Sequence, residues 1–218
     1  MVASVPGLKA MYPATPYDVK GMLNYALRGT DPVVFFESQK LYGIGERFEK
    51  EGVPEGYYEI PEGVPAVRKL GDDITLIALG PSLYTCMDAA DALKERYGVD
   101  AEVIDLRWIN PLKYEVLIES VKKTGKAVLV TDSSERGSYV QTVAANLTRL
   151  AFDYLDAPAV VVGSRNWITP PAEMEDYYFP QVATLIDAIH EQILPLADHT
   201  VTKNRTDGEF HRIQAAGV

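Results

Sequence analysis

Histidine is the residue type most often used for proton transfer near neutral pH, and this 218-residue chain has three of them. They are His190, His199 and His211. All three lie in the last predicted helix or in the segment after it, whereas α/β proteins build their sites at the carboxyl ends of strands. The histidines therefore do not predict a catalytic centre.

Two carboxylates follow the strand predicted at 127–130 and form the next candidate. Asp132 and Glu135, near Arg136, could do acid–base chemistry if they were buried. Nothing in the sequence marks their surroundings as desolvated. We therefore interpret this segment as a solvated loop or a subunit contact rather than as a proton-transfer site.

Two glycine-containing segments could bind an anion. The segment GIGERF at 43–48 lacks the third glycine and the following helix of a phosphate loop, so we interpret it as a plain turn. The segment LGPSLYT at 79–85 is better placed, because a strand ends and a helix begins there. Every strand-to-helix connection offers similar free N–H groups, and a simple helix cap is the favoured interpretation over a ligand site.

Composition excludes several classes of protein. The formal net charge of −10 argues against a nucleic-acid or anionic-membrane surface, which needs clustered Lys and Arg. The single cysteine, Cys86, excludes an internal disulfide and a cysteine-based zinc site, and we expect a buried, inert thiol. No apolar run approaches the roughly 20 residues of a membrane-spanning helix, so we expect a cytoplasmic protein.

The elements that must position any site follow a regular alternation after residue 70. Apolar runs and helical spacing predict strands at 74–79, 102–106, 127–130 and 159–162, and helices at 82–97, 114–124, 139–155 and 178–193. Gly98 and Gly125 end the first two of these helices. Strands that alternate with helices of this length predict an α/β fold with a doubly wound, mainly parallel sheet.

The first forty residues form only part of a second α/β unit. A strand is predicted within 5–13, a helix begins after Thr15 with Pro16 in its first turn, and a second strand spans 33–36. Two parallel strands and one helix cannot bury both faces of a sheet. This stretch therefore implies a sheet whose other strands lie outside it.

A Gly-, Pro- and Glu-rich stretch separates the two regular parts. We expect a partial domain at 1–38, a linker at 39–69, the main domain at 70–195 and a C-terminal extension at 196–218. The linker is predicted to carry one or two short strands, around 57–60 and 64–68. The extension has no sustained apolar period and is expected to be mobile unless it docks on a partner.

Several segments resemble one known family. They are VPGLKAMYPATPYDVKGML at 5–23, DPVVFFES at 31–38, LYG at 41–43, DITLIALG at 73–80, AEVIDLRWINPL at 101–112 and AFDYLDAP at 151–158. In this order they resemble the C-terminal two-thirds of the β subunit of thiamine-diphosphate-dependent 2-oxo acid dehydrogenases. The resemblance implies that 1–38 is the end of a pyrimidine-binding domain and that 70–195 is a transketolase C-terminal domain.

The resemblance also implies a function and partners. The family decarboxylates pyruvate or branched-chain 2-oxo acids, and its catalytic and cofactor-binding residues lie in an upstream β segment and in the α subunit. It therefore assigns no catalytic or cofactor-binding residue to this chain, which would be inactive alone and serve mainly subunit assembly. A dihydrolipoyl acyltransferase core is a further expected partner. The alternatives are a transketolase or deoxyxylulose-phosphate synthase region, or a non-catalytic assembly module.

One ligand set is carried over by the resemblance. The family's β subunit binds potassium through main-chain oxygens in a helix-to-strand turn, and the matching positions are Ala26, Leu27, Gly29 and Asp31. A turn without an ion remains an equal alternative, because backbone ligands leave little sequence signal.

The chain departs from the family pattern in three places. Thr131-Asp132 stands where many members have His-Glu, and Gln141 ends a segment that usually ends in Glu. The segment at 164–181 replaces an Asp-x-Pro-x-Pro motif. Because that loop normally lies near subunit contacts, these departures leave the substrate class and the partner open.

Overall fold

The computed structural model describes residues 1–202. Its strands are β1 (Lys9–Met11), β2 (Val33–Phe35), β3 (Ala66–Lys69), β4 (Ile74–Ala78), β5 (Ala101–Asp105), β6 (Trp108–Asn110), β7 (Ala127–Ser134) and β8 (Val160–Ser164). Its helices are α1 (Pro16–Arg28), α2 (Ser82–Tyr97), α3 (Glu115–Thr124), α4 (Tyr139–Leu150), α5 (Glu175–Tyr178) and α6 (Val182–Gln192).

The main sheet has five strands in the order β3-β5-β4-β7-β8. All neighbours are parallel except β3, which runs antiparallel to β5 at the edge. Helices α2 and α6 pack on one face, and α3 and α4 pack on the other. The predicted α/β fold with a doubly wound, mainly parallel sheet is therefore confirmed.

The central strands are mainly apolar because they are covered on both faces. All five residues of β4 and all five of β5 are buried, as expected for parallel strands between two helical layers. Gly98 and Gly125 end α2 and α3 in the left-handed region, with φ of 70° and 68°. There the backbone N–H bonds a carbonyl of the last helical turn, as predicted.

A second sheet has three strands in the order β2-β1-β6. Strands β1 and β2 are parallel, whereas β6 is antiparallel to β1. Strand β6 belongs by sequence to the main domain and was not predicted, because three residues directly after β5 show no period of their own. Its pairing with β1 joins the N-terminal unit to the main domain.

Four predicted elements need correction. No strand forms at 57–60, and the strand at 66–69 belongs to the main sheet although it lies within the predicted linker. Helix α4 ends at Leu150, and a 3-10 turn follows at Phe152–Tyr154. The helix predicted at 178–193 begins only at Val182, because Pro180 follows the end of α5 and Gln181 begins α6 with a capping box.

The start of the C-terminal extension docks on the domain itself. Leu196 is buried, and His199 lies between the hydroxyl of Tyr97 and the carboxylate of Asp187, at 2.7 and 2.8 Å. The expectation of a mobile extension is therefore wrong for residues 196–202. The remainder of the extension, with His211, lies outside the described residues.

Two further sequence predictions concern the cysteine and membrane-spanning helices. The thiol of Cys86 is buried, as predicted, and burial raises its pKa far above the ordinary value. Among residues 1–202, no helix combines the length and apolar character needed to cross a bilayer.

Candidate functional site

The crevice where doubly wound sheets bind ligands is closed in this protein. Such crevices lie outside the carboxyl ends of the two strands between which the chain reverses direction across the sheet, here β4 and β7. The ring of Tyr12, which directly follows β1, lies over the end of β4. A Cβ added to Gly80 would lie 2.4 Å from Cε1 of Tyr12, so only glycine permits this close approach.

Asp132 holds the Tyr12 ring in place from the neighbouring strand. The phenol of Tyr12 donates a 3.0 Å hydrogen bond to Oδ2 of Asp132. Asp132 lies within β7 rather than in a loop, and burial raises the pKa of its carboxyl group although the hydrogen bond from Tyr12 opposes the shift. The interpretation of a solvated loop is therefore wrong for Asp132, whose carboxylate holds the two units together.

The two glycine segments form ordinary connections. In the turn at 43–48, the carboxylate of Glu46 accepts hydrogen bonds from the backbone N–H of Tyr17, Arg47, Phe48 and Glu49. Burial alone would raise the pKa of Glu46, but these bonds lower it. The segment at 43–48 forms no helix or strand, and the bond from the Tyr17 N–H ties it to the first turn of α1.

The segment at 79–85 begins α2 without a side-chain cap. The N-cap residue is Pro81, and Ser82 is the first residue of the helix. The hydroxyl of Tyr84 donates a 3.0 Å hydrogen bond to the carbonyl of Ala14. This turn therefore contacts the N-terminal unit, and the Tyr12 ring covers its glycine.

Four buried charged side chains form a second connection between the two units. We call them the ion quartet: Asp18 of α1, Arg68 of β3, Asp105 of β5 and Arg107, which precedes β6. The Arg68 guanidinium bonds Asp18 and lies 3.1 Å from Oδ2 of Asp105. Arg107 Nη1 lies 3.4 Å from Oδ1 of Asp18. The quartet therefore links α1 to the edge of the main sheet.

Burial and the neighbouring opposite charges shift the pKa values of the quartet in opposite directions. Burial raises the pKa of Asp105 to about 6, although Arg68 opposes the shift. Burial alone would lower the pKa of Arg68, but Asp105 and Asp18 outweigh it and raise that pKa. Burial lowers the pKa of Arg107 despite Asp18. Because each charge compensates another, removal of one member leaves a buried charge unpaired.

Arg107 has a strained backbone that this arrangement holds. Its φ is 58°, in the left-handed region that residues with a side chain seldom adopt. Its N–H donates a 3.1 Å hydrogen bond to Oδ1 of Asp105. Sequence reasoning missed the quartet, since its members come from three elements and from the turn before β6. One local signal was Asp105, a charged residue at the end of the buried strand β5.

The predicted potassium ligands lie at the end of α1. Ala26 and Leu27 are in its last turn, Gly29 follows in an extended conformation, and Asp31 precedes β2. Unlike α2 and α3, α1 is not closed by a left-handed glycine, so the carbonyl groups of its last turn face outward at the negative end of the helix dipole. Main-chain carbonyl oxygens are a type of ligand that a monovalent cation can take.

The side chain of Asp31 already has a cationic partner. Lys9 Nζ lies 3.0 Å from Asp31 Oδ2 and 2.9 Å from Glu62 Oε1, and it donates a hydrogen bond to the hydroxyl of Tyr25. The bond to Tyr25 and that to Glu62 raise the pKa of Lys9. A cation at this turn would therefore depend on main-chain oxygens. Within residues 1–202, no cluster of His, Cys, Asp and Glu side chains is suited to hold a metal ion.

An open cleft of about 620 Å³ lies at the opposite, amino end of the main sheet. Its lysines are paired with carboxylates: Lys122 with Glu119, Lys123 with Glu102 and Asp72, and Lys126 with Asp156. This pairing leaves the cleft without a concentrated positive charge. The cleft therefore offers no specific attraction for an anion.

These features define a class of protein, a doubly wound α/β domain whose ligand crevice is closed by part of a second α/β unit. Residues 63–185, more than half of the chain, match the family model described as Transketolase, C-terminal domain. The chain belongs to this family. Residues 1–44 match the model described as Transketolase, pyrimidine binding domain.

Curated relatives confirm the resemblance to β subunits. The chain is 38% identical over 180 residues to the pyruvate dehydrogenase E1 component subunit beta of Bacillus subtilis, covering 83% of this chain and 54% of that protein. It is 44% identical to the 2-oxoisovalerate dehydrogenase subunit beta of the same organism, covering 72% of this chain and 46% of that protein. It is 37% identical to the acetoin:2,6-dichlorophenolindophenol oxidoreductase subunit beta of Bacillus subtilis, covering 83% of this chain and 51% of that protein. The chain thus spans about half the length of these relatives.

A solved structure supports the fold. The protein described as "Split gene transketolase, inactive beta4 tetramer" superposes with a TM-score of 0.68 and 23% sequence identity. The match covers 89% of this chain and 60% of that one. At this identity the likeness establishes the fold and no more.

Proposed function

We propose that this chain supplies the C-terminal half of the β-type subunit of a thiamine-diphosphate-dependent 2-oxo acid dehydrogenase. The observation that carries the proposal is the order of the two family matches. A pyrimidine-binding part at 1–44 precedes the transketolase C-terminal domain at 63–185. Related β subunits of pyruvate and 2-oxoisovalerate dehydrogenases share 38% and 44% of the aligned residues.

Assembly is the role that this part of the subunit can perform. Two internal connections, the Tyr12–Asp132 bond and the ion quartet, fix the N-terminal unit on the main domain. The main domain thereby acts as a rigid base for an incomplete sheet. We propose that this base positions the pyrimidine-binding unit for partners that carry the remaining catalytic groups.

Thiamine diphosphate would supply the carbanion chemistry of the assembled enzyme. The described residues do not fit this group by themselves. Asp18, Asp105 and Asp132 are engaged by arginine or tyrosine, and Tyr12 fills the crevice at β4 and β7. We therefore propose no catalytic or cofactor-binding residue in residues 1–202, and we expect the chain alone to be inactive.

A structural potassium ion at the end of α1 is part of the proposal. The main-chain oxygens of Ala26, Leu27, Gly29 and Asp31 would hold it, and the outward-facing carbonyls of this helix end support the assignment. Thermal unfolding tests this site. The Tm would be compared in potassium, sodium and choline chloride, each at about 100 mM so that the ionic strength is the same. A potassium-specific rise in Tm supports the site, and equal Tm values contradict it.

The proposed partners are an α subunit, the remaining part of the β subunit and a dihydrolipoyl acyltransferase core. The proposed location is the cytoplasm. Sequence alone left pyruvate and branched-chain substrates open, and the relatives named for pyruvate and for 2-oxoisovalerate keep both in the proposal.

A substrate panel tests the proposed reaction. The chain would be combined with the remaining β segment and the α subunit from the same source, together with thiamine diphosphate and magnesium. Pyruvate, 2-oxoisovalerate, acetoin and a ketose phosphate would be compared by reduction of an artificial electron acceptor and by two-carbon transfer to an aldose phosphate. Oxidation of a 2-oxo acid supports the proposal. Two-carbon transfer between sugars, without oxidation of either 2-oxo acid, would replace it with a transketolase function.

A further inference from the structure

An aspartate stands among the core residues of α6. Residues 185–189 of this helix are all buried, and Asp187 is the one charged side chain among them, with an exposed fraction of 5%. A buried carboxylate needs hydrogen-bond donors in place of water. The described donors to Asp187 come from the start of the C-terminal extension. This carboxylate and the extension therefore form one unit.

Two residues of the extension bind Asp187. His199 Nε2 lies 2.8 Å from Oδ1 of Asp187. The backbone N–H and the hydroxyl of Thr202 donate hydrogen bonds of 3.1 and 2.5 Å to Oδ2. The N–H of Leu196 donates a further bond of 2.9 Å to Nδ1 of His190. Together with the buried side chain of Leu196, these bonds hold the His199 ring in one orientation.

Asp187 determines which nitrogen of His199 carries the proton. A carboxylate only accepts hydrogen bonds, so the proton between the two groups lies on Nε2. In the neutral imidazole the other nitrogen, Nδ1, is then an acceptor with a free electron pair. A carboxylate that fixes the tautomer of a histidine in this way prepares it to act as a base.

The free electron pair of Nδ1 faces the hydroxyl of Tyr97. The two atoms are 2.7 Å apart, and the two rings meet edge-on with their centroids at 5.6 Å. Tyr97 is the last residue of α2 and is half-buried. A carboxylate, an imidazole and a hydroxyl thus follow one another in a single line of hydrogen bonds. This is the arrangement that activates a hydroxyl group as a nucleophile.

From this arrangement we infer that Tyr97 is a nucleophilic tyrosine, a modification site that takes acyl groups from activated acyl donors. The phenol oxygen forms a bond to the acyl carbon, and the bond between that carbon and its leaving group breaks. The phenol proton passes to Nδ1 of His199 and from there to the leaving group. Asp187 is a positioning residue, because it contacts His199 and not the phenol.

This site is separate from the proposed dehydrogenase function. Helix α2 begins after the carboxyl end of β4 and ends before β5 starts, so Tyr97 lies at the amino end of the main sheet. The bond between Tyr12 and Asp132 lies at the opposite, carboxyl end. The acylation of Tyr97 can therefore be tested on the chain alone, without the partners of the proposed enzyme.

The test uses the full-length chain and N-acetylimidazole, which transfers an acetyl group to phenols and releases imidazole. Peptide mass spectrometry measures the acetylation rate of each tyrosine in the same sample. The internal reference is Tyr177, whose exposed fraction is 62%. We expect Tyr97 to react faster than Tyr177 although it is less exposed, because His199 accepts its proton.

Two variants remove the base in different ways. H199Q keeps an N–H donor for Asp187 but has no basic nitrogen, and it should slow the acetylation of Tyr97 about a hundredfold. In D187N, Thr202 retains the amide oxygen at the Oδ2 position, so the amide N–H faces Nε2 of His199. The imidazole proton then moves to Nδ1, and the acetylation of Tyr97 should slow roughly tenfold.

The matched control is T202A, which removes one bond between the extension and Asp187 and touches neither ring. It should leave the rate of Tyr97 unchanged, and the rate of Tyr177 should be the same in every variant. Circular dichroism and Tm verify that each full-length variant folds. Selective slowing of Tyr97 in H199Q and D187N, with T202A unaffected, supports the inference.

A purely structural role of His199 predicts the opposite direction. If the imidazole only covers the phenol, its replacement exposes Tyr97, and acetylation becomes faster. An unchanged or faster rate in H199Q or D187N overturns the inference, and so does equal slowing in T202A. A rate for Tyr97 below that of Tyr177 in the unmodified chain also overturns it. That last comparison needs no variant, so it decides the question even where a variant fails to fold.

Discussion

Tyr12 and Asp132 meet at the point where the two sheets join. The phenol donates a 3.0 Å hydrogen bond to the carboxylate, across 120 positions of sequence. Burial raises the pKa of both groups, and the charge of Asp132 adds to the effect on Tyr12. The bond is therefore partly shielded from water, and it closes the crevice where related architectures bind ligands.

Gly80→Ala should disrupt this junction. The new Cβ would overlap the Tyr12 ring, and φ of 62° disfavours any side chain. We expect the free energy of unfolding in urea to fall by about 2 to 4 kcal/mol. Gly98→Ala is the matched control, because its φ is 70° and nothing lies within 4 Å of the added atom. That control should cost about 1 kcal/mol. Equal losses would show that Tyr12 does not press on Gly80.

Asp132→Asn should remove the contribution of Asp132 to the pH dependence of the free energy of unfolding. The native pKa of Asp132 is raised above its reference value of 3.8, so the native state holds the proton more tightly than the unfolded state. Stability contributed by this group is therefore greatest at low pH, and it is lost as the pH rises from 3.8 through the raised native pKa. Above that pKa the carboxylate is ionised, and the free-energy cost of keeping its charge away from water is greatest.

The asparagine variant can still accept the Tyr12 hydrogen bond through its amide oxygen. It should match or exceed the unfolding free energy of the unmodified protein at pH 7, and the difference should shrink as the pH falls toward 3.8. Urea titrations at a series of pH values measure it. A variant that is less stable at pH 7 but not at pH 4 would show that the charge of Asp132 stabilises the junction.

Arg68→Ala should be the most damaging single change in the ion quartet. It would leave the carboxylates of Asp18 and Asp105 buried without their shared partner, and we expect a loss of about 3 to 5 kcal/mol in the free energy of unfolding. Lys122→Ala, which breaks the exposed pair with Glu119, should leave stability nearly unchanged. A small effect of Arg68→Ala would mean that water enters and compensates the carboxylates.

Brief trypsin treatment should cut the exposed bonds after Arg47 or Lys50 within the predicted linker. We expect the main domain to resist, and we expect the N-terminal piece to stay attached, because β1 pairs with β6 and Asp18 binds Arg68. Two bands on a denaturing gel should elute together in size exclusion. Separate elution would contradict this attachment, and early cutting within α4 would contradict the predicted main domain.

Periodicity predicted the main sheet because its signal is local. Strand β4 is a mainly apolar run between turn residues, and α2 ends at a glycine, so each element carries its own boundaries. The later start of the last helix, at Val182, was equally local, since Pro180 stands in the sequence, but the apolar spacing across 178–193 concealed it. A proline in the sequence is therefore a better marker of a helix boundary than apolar spacing alone.

The junction could not be predicted because its signal is not local. Asp18, Arg68 and Asp105 lie in three separate elements, and their types are those of an ordinary protein surface. Strand β6 is three residues long and depends for its existence on β1, about a hundred positions earlier. The potassium positions came from family resemblance, and the open end of α1 supports them without a side-chain pattern that sequence alone could reveal.

The most direct measurement of the central claim compares the chain alone with the assembled enzyme. Reduction of 2,6-dichlorophenolindophenol would be followed with thiamine diphosphate, magnesium and each 2-oxo acid. We expect no turnover by the 218-residue chain, since the acidic groups of its junction are engaged in holding the fold. Turnover should appear when the remaining β segment and the α subunit are added. Oxidation of a 2-oxo acid by the chain unaided, or an assembled complex that oxidises none, would contradict the account.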